Sequence, residues 1–382
     1  MAKKLNRKLK MGMVGGGPGA FIGDVHRKAA QFDGGVDLVA GAFASTAKKS
    51  KQQGRELFLD ANRVYGSYKE MIKKESELPE GERIDFVSVV TPNHMHFPVA
   101  RDFFQAGFHV VCDKPMTLTL KEAKDLARLV KRRKKQVFAL THNYTGYPMV
   151  KLAKDIVQAK KKCGKILKVV VQYPQGWLID RLEKQGAKQA EWRTDPKRSG
   201  KAGCMGDIGT HAENLAEYIT GLKITDVCAD LGALVKGRAL DDDGNVLLRF
   251  DNGAQGLLFA SQISVGELNG LRINVYGEKG SLYWRQEYPN DLEFFERDGT
   301  VVTYRRGAAF GLLTALATGA LWTARFVDVW EAEMLTAGPV PLLVGLVLGT
   351  VAVAGVLVGL PITYARRRSR ERSDAAGTAN SL

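Results

Sequence analysis

Leu9-Lys10-Met11-Gly12-Met13-Val14 runs directly into Gly15-Gly16-Gly17-Pro18-Gly19-Ala20, and Phe21 to Gln31 follow with helical spacing. The apolar run reads as a short buried strand, the glycines as a turn, and the following segment as a helix. In a Gly15-x-Gly17-x-x-Ala20 turn the glycines let the backbone bend tightly and approach a pyrophosphate. The helix N-terminus then holds that anion. A glycine-rich turn alone is weak evidence, and its place after the first strand gives it weight.

Further strands are predicted at Val36–Phe43, Asp85–Val90, His109–Cys112 and Gln136–Leu140, with helical patterns between them such as Lys121–Arg133. Strands alternating with helices argue for an α/β Rossmann domain with a parallel, doubly wound sheet, over residues 1–145. Beyond it, strand-like runs occur at Ile166–Tyr173, Val246–Phe250, Gly256–Ser264, Leu271–Tyr276 and Ser281–Trp284. Asp243-Gly244 and Asp251-Asn252-Gly253 read as turns, and Asp207–Tyr218 as a helix. The expectation for residues 146–306 is an α+β domain with a large, mostly antiparallel open sheet.

Composition divides the chain differently. The 382 residues are 45% hydrophobic and 25% charged, which excludes a disordered, collagen-like or disulfide-scaffold chain. Residues 1–307 hold all 31 Lys and 19 of 25 Arg against 36 acids, a net +14. Residues 308–382 hold no Lys, six Arg and five acids. Runs such as Lys131–Lys135 read as solvated helix faces, so no nucleic-acid partner is expected. Cys112, Cys163, Cys204 and Cys228 form no C-x-x-C pair, which fits reduced thiols in a cytoplasmic catalytic part. The basic start lacks an apolar segment after it, so no signal peptide is expected.

The tail, 307–382, is apolar and is expected to be helical. Two stretches, about 308–324 and 340–364, approach the ~20 apolar residues of a membrane span. Arg305-Arg306 and Arg366–Arg368 lie outside them, and acids lie between. That pattern predicts a hairpin with both ends cytoplasmic, attached to the inner face of the cytoplasmic membrane through residues 308–364. A buried helix pair, or a fusion or frameshift product, are the alternatives.

Four further motifs carry chemistry. After the second strand the chain reads Phe43-Ala44-Ser45-Thr46, then Lys48-Lys49, with no carboxylate for a ribose 2′-hydroxyl. A hydroxyl followed by cations suits a 2′-phosphate, so among NAD(P) cofactors the reading leans to NADP. Thr91-Pro92-Asn93-His94-Met95-His96 ends a buried strand, where ligands sit in such sheets. His94 and His96 are spaced like a metal pair, but no third ligand stands nearby and no metal is expected. Cys112-Asp113-Lys114-Pro115 ends another strand. A lysine there could hydrogen-bond a substrate hydroxyl and stabilise developing alkoxide charge. In Gly206-Asp207-Ile208-Gly209-Thr210-His211, Asp207 and His211 fall at i and i+4 on one helix face. The imidazole could take a hydroxyl proton, and the carboxylate could orient it or raise its pKa.

These motifs occur together and in order. Residues 9–306 thereby resemble the glucose–fructose oxidoreductase, inositol dehydrogenase and rhizopine-catabolism (Gfo/Idh/MocA) family. The resemblance implies hydride transfer between a nicotinamide cofactor and a CH–OH group of a sugar, polyol or related compound, and a homo-oligomer. It implies His211 as general base, Lys114 positioning the reacting oxygen and Asp207 supporting both. Implied cofactor contacts are Gly15, Gly17, Gly19, Ala20 and Ser45 on one side. Thr91, Asn93, His96, Asp113 and Lys114 would lie on the other. By position, Asn143, Tyr144, Trp177, Trp192 and Arg193 are candidates for the substrate pocket. The chain departs from the family at Asp113, usually Glu, at Asn214, often a carboxylate, and in the apolar tail where a closing segment is expected. An NAD-dependent glycosidase of the same fold, or a non-catalytic cofactor-binding or membrane-associated protein, are the rival readings.

Overall fold

A computed structural model describes residues 7–307 and the two-residue strand Arg367–Arg368. Five strands form one parallel sheet: β1 (Leu9–Gly15), β2 (Val36–Ala42), β3 (Phe86–Val90), β4 (His109–Asp113) and β5 (Phe138–Thr141). Their order is β2-β1-β3-β4-β5. Helices α1 (Phe21–Gln31), α2 (Ala47–Glu56), α3 (Tyr68–Glu77), α4 (His96–Gln105) and α5 (Leu120–Arg132) lie between successive strands. Two apolar clusters form in this sheet and its helices, one around Val87, Val89, Phe103 and Leu126, the other around Met11, Met13, Ala30 and Val36. Every residue of β3 is therefore buried, because a doubly covered sheet has no wet side. β1 pairs with β2 on one flank and β3 on the other. The chain reverses direction across the sheet there, which opens a crevice beyond the carboxyl ends of β1 and β3.

The second sheet holds β6 (Ile166–Pro174), β7 (Ile224–Gly232), β8 (Asp243–Phe250), β9 (Gln255–Ser261), β10 (Arg272–Gly277), β11 (Gly280–Arg285), β12 (Asp291–Glu296) and β13 (Val301–Arg305). The order is β13-β12-β11-β10-β6-β9-β8-β7, and Arg367–Arg368 (β14) pairs with the outer edge of β13. All neighbours are antiparallel except β6 and β9. α6 (Pro148–Lys154) and α9 (Thr210–Thr220) pack on one face through Val150, Ala212, Leu215 and Ile219. The strands alternate accordingly. In β8, Val246, Leu248 and Phe250 point inward, while Asn245, Leu247 and Arg249 are exposed. Each fully buried aliphatic side chain contributes ~1.5–3 kcal/mol, so this face anchors the domain.

Three strands carry no clear sequence signal. β7 is exposed along nearly its whole length, so no inward period marks it. β12 sets three acids among its apolar residues, and β13 has no buried residue. Asp243-Gly244 is not a turn but the start of β8. The glycine is there for packing, since a Cβ would sit 2.8 Å from Met205 Sδ and from Leu231. The expected spans at 308–324 and 340–364 lie outside the described residues. Among the described residues, no helix is long and apolar enough to cross a membrane.

Candidate active site

A cavity of about 1410 Å³ runs from the crevice of the first sheet to the helical side of the second. Its first wall is the turn after β1. Gly15 has φ 90°, and a Cβ there would lie 2.5 Å from the Val90 carbonyl oxygen of β3. At Gly17 a Cβ would lie 2.5 Å from the Phe43 carbonyl oxygen. Helix α1 starts behind Ala20 with no side chain capping its first turn. Its leading N–H groups thus remain for a ligand. Buried Thr91 Oγ1, on the same cavity, also has no hydrogen-bond partner. Free donors, a glycine cradle and an orphan hydroxyl fit the pyrophosphate and ribose of a dinucleotide.

Beyond β2, Ser45, Lys49 and Gln52 line the cavity, and no carboxylate lines it at that end. Thr46 is committed elsewhere, since its Oγ1 accepts from the Lys49 N–H at 3.4 Å and caps α2. Asn93 also faces the cavity and donates to the Ser199 carbonyl of the second domain at 3.3 Å. Gly19 and His96 are not among the lining residues. The buried His96 ring lies between the carbonyls of Thr91, 2.8 Å from Nε2, and Pro115, 2.6 Å from Nδ1. It ties the ends of β3 and β4 together. Asp113 accepts from Thr141 Oγ1 at 2.8 Å, and the His26 ring approaches it at 3.9 Å. Burial acts to raise the Asp113 carboxyl, but His26 and Lys114 outweigh it and hold it well below the usual range.

The centre of the cavity is a charge cluster drawn from four separate segments. Lys114 Nζ donates to Asp207 Oδ1 at 2.9 Å and to the Asp207 carbonyl at 2.7 Å. Arg193 Nε and Gln262 Nε2 both reach Asp207 Oδ2 at 2.9 Å. Burial opposes the charge on Asp207, yet Arg193 and Lys114 keep its carboxyl far below the ordinary value. The Arg193 guanidinium also lies 4.2 Å from the Trp192 ring and 5.8 Å from the Trp177 ring, which fixes its plane. Asp207 sits on a π-helical turn, Met205–Gly209, at the head of α9. Asp241 pins the start of that turn by accepting from the N–H groups of Gly203 and Met205 at 2.6 and 2.7 Å.

His211, one turn further, is buried, and its Nδ1 has no partner. Burial first, then the Lys114 charge and His142, push its pKa well down. The imidazole is therefore neutral near pH 7 and able to accept a proton. The carboxylate of Asp207 is spent on Lys114, Arg193 and Gln262, so it holds Lys114 and does not orient His211, as the helical spacing suggested. The Tyr144 ring stands edge-on to His211 with centroids 4.8 Å apart. Tyr144 and Tyr173 share a short hydroxyl contact, and Tyr173 donates to Asn269 Oδ1 at 2.6 Å. Gln175 joins Asn269 to Trp177. Asn143 lines the same end. Thr141 at the end of β5, Tyr173 within β6, Gln262 just after β9 and Asn269 in the loop before β10 were invisible in the sequence, since no motif surrounds any of them.

The fold and the cavity define a two-domain, dinucleotide-binding oxidoreductase. Family comparisons agree. A model described as an oxidoreductase family with an NAD-binding Rossmann fold matches residues 9–141, and the GFO/IDH/MocA C-terminal domain matches residues 150–283. The chain belongs to the GFO/IDH/MocA family and is an NAD-binding oxidoreductase. A Bacillus subtilis protein named only as an uncharacterized oxidoreductase is 33% identical over 294 residues, covering 76% of this chain and 74% of the relative. Levoglucosan dehydrogenase of Pseudarthrobacter phenanthrenivorans is 27% identical, covering 75% of this chain and 76% of its own. An inositol dehydrogenase homolog from Azotobacter vinelandii, solved with NADH and myo-inositol, superposes with TM-score 0.74 at 33% identity, covering 81% and 78% of the two chains.

Proposed function

We propose that the chain moves a hydride between NAD(P) and a hydroxyl-bearing carbon of a sugar, polyol or related compound, with NADP preferred. The observation that carries this reading is the arrangement around Lys114. An ammonium has three N–H donors, and two of Lys114's are spent on Asp207. The third is free to hold a substrate oxygen. Neutral His211, in the same cavity, takes the hydroxyl proton as alkoxide charge develops, and the Lys114 ammonium stabilises that charge. Asp207, fixed by Arg193 and Gln262, keeps the ammonium in place. The bound nicotinamide ring supplies hydride acceptance or donation.

The neutral hydrogen-bonding wall of Tyr144, Tyr173, Asn269 and Gln175 suits several hydroxyls at once. The levoglucosan dehydrogenase and the myo-inositol complex among the relatives support the same substrate class. Ser45 and Lys49, without a carboxylate beside them, support NADP. Exposed Val227, Leu231 and Leu247 on β7 and β8 support a homo-oligomer, which light scattering tests. The test of the reaction is a panel of sugars and polyols with NAD and NADP, read by formation of reduced cofactor. Turnover with at least one polyol or sugar, lost in His211→Asn while dinucleotide binding persists, is the expected result. Silence across the whole panel, or turnover with no net change in cofactor redox state, sinks it.

A further inference from the structure

We propose that Lys188, in the second domain, binds the cofactor pyrophosphate directly and so makes the α7 segment part of the dinucleotide site. α7 (Lys188–Arg193) belongs to the segment between β6 and β7 and also carries Trp192 and Arg193. Its first residue reaches across the cavity, and Lys188 Nζ donates to the Pro18 carbonyl at 2.6 Å. Pro18 is the middle of the glycine turn. A Cβ built on Gly19 would lie 3.7 Å from the same ammonium, which therefore stands over the turn. Both Lys188 and Pro18 line the cavity.

Charge accounting separates this lysine from its neighbours. Lys114 and Arg193 share the single carboxylate of Asp207. No carboxylate among the described residues pairs with Lys188. Its ammonium donates once to a neutral carbonyl and keeps two N–H groups and its full charge. The turn beneath it offers backbone donors and the uncapped start of α1. Those groups carry only partial charge, whereas a pyrophosphate brings two full negative charges. A cation over that turn supplies the complement, and it comes from the domain that also carries Asp207 and His211. Cofactor binding is thereby coupled to the approach of the chemistry-bearing domain.

The test is equilibrium binding to the full chain and its Lys188→Ala, Lys188→Met and Lys188→Arg variants. The ligands are NADH, NADPH, ADP-ribose and adenosine. Loss of the cation should weaken both dinucleotides and ADP-ribose by about five- to tenfold at low ionic strength, with the difference shrinking in high salt. Adenosine, which lacks the pyrophosphate, should bind all forms alike, and Arg should restore binding to within about twofold. Lys188→Met keeps the aliphatic stem and gives the same reading should Ala disturb α7. Unchanged ADP-ribose affinity in the Met variant overturns the assignment. So does an equal loss for adenosine, which would mark Lys188 as a structural strap between the domains.

Discussion

The two walls of the cavity are built by opposite means. The cofactor wall is backbone: a positive φ at Gly15 and two Cβ positions, at Gly15 and Gly17, that point into carbonyl oxygens 2.5 Å away. The opposite wall is side chain: Lys114, Arg193 and Gln262 converge on one half-buried carboxylate, beside a neutral imidazole. The first is encoded in six consecutive residues. The second is assembled from the end of β4, α7, the π-helical turn and the end of β9. Damage to the backbone wall should therefore appear in cofactor affinity, and damage to the side-chain wall in turnover.

Lys114→Ala gives the largest separation. It removes the ammonium proposed to stabilise alkoxide charge, and turnover should fall by about 10³-fold or more, as for removal of an oxyanion donor together with its charge. Dinucleotide affinity should change by less than about tenfold, because the glycine turn is untouched. Pre-steady-state hydride transfer and cofactor binding, measured on one preparation, check both halves. A loss confined to cofactor affinity would erase the distinction between the walls.

Gly17→Ala is the mirror experiment. Its Cβ collides with the Phe43 carbonyl oxygen, a backbone atom that cannot swing away. The turn must shift, with an expected destabilisation of ~1–3 kcal/mol. Dinucleotide affinity should fall by about tenfold to a hundredfold, since the donors no longer converge on the pyrophosphate. Turnover at saturating cofactor should stay within about fivefold of the parent. Titration calorimetry and steady-state kinetics read the two quantities separately.

This contrast also explains what the sequence reveals. A turn specified by neighbouring glycines and bounded by β1 and α1 is legible without any tertiary information. The same holds for β1 to β5, whose short, mostly apolar runs announce a doubly covered sheet. Lys114, Asp207 and His211 are legible because short motifs surround them, although their mutual bonding is not. Helical spacing suggests an Asp207–His211 pair. The fold instead turns the Asp207 carboxylate toward Lys114, because the chain passes Asp207 in a π-helical turn and Arg193 and Gln262 close around it. Gln262 and Asn269 owe their roles entirely to which strand ends meet over the cavity, and no local pattern encodes that.

Lys49 probes the cofactor wall where it does use side chains. Under the proposed NADP preference, Lys49→Ala should weaken NADPH by about three- to tenfold, the scale of a partly exposed charge contact, and NADH by less than twofold. Ser45→Asp should reverse the preference by placing a carboxylate against the 2′-phosphate and offering it to a free ribose 2′-hydroxyl. Parallel fluorescence titrations with the two reduced cofactors measure both. Equal affinities for the two cofactors in the parent chain would remove the side-chain element from this wall.

The last effect concerns stability, and it spans both walls. His26 and His96 beneath the cofactor turn, and His142 and His211 by the charge cluster, all have pKa values lowered chiefly by burial, His142 to about 4. The unfolded chain titrates these rings near the ordinary value of about 6.5. Between the two values the unfolded state holds protons that the folded state refuses, so stability rises with pH there and drains away as pH falls. Asp113 and Asp207 act in the same direction at still lower pH, because their folded carboxyls lie below the unfolded value and lose their contribution on protonation. The melting temperature should therefore fall steadily from about pH 6.5 to about pH 4. His142→Asn deletes one such ring, and between those limits it should reduce the pH slope of the unfolding free energy, read from denaturant titrations at several pH values, by up to about 1.4 kcal/mol per pH unit. A slope left unchanged by that substitution would mean that His142 is charged or open to solvent.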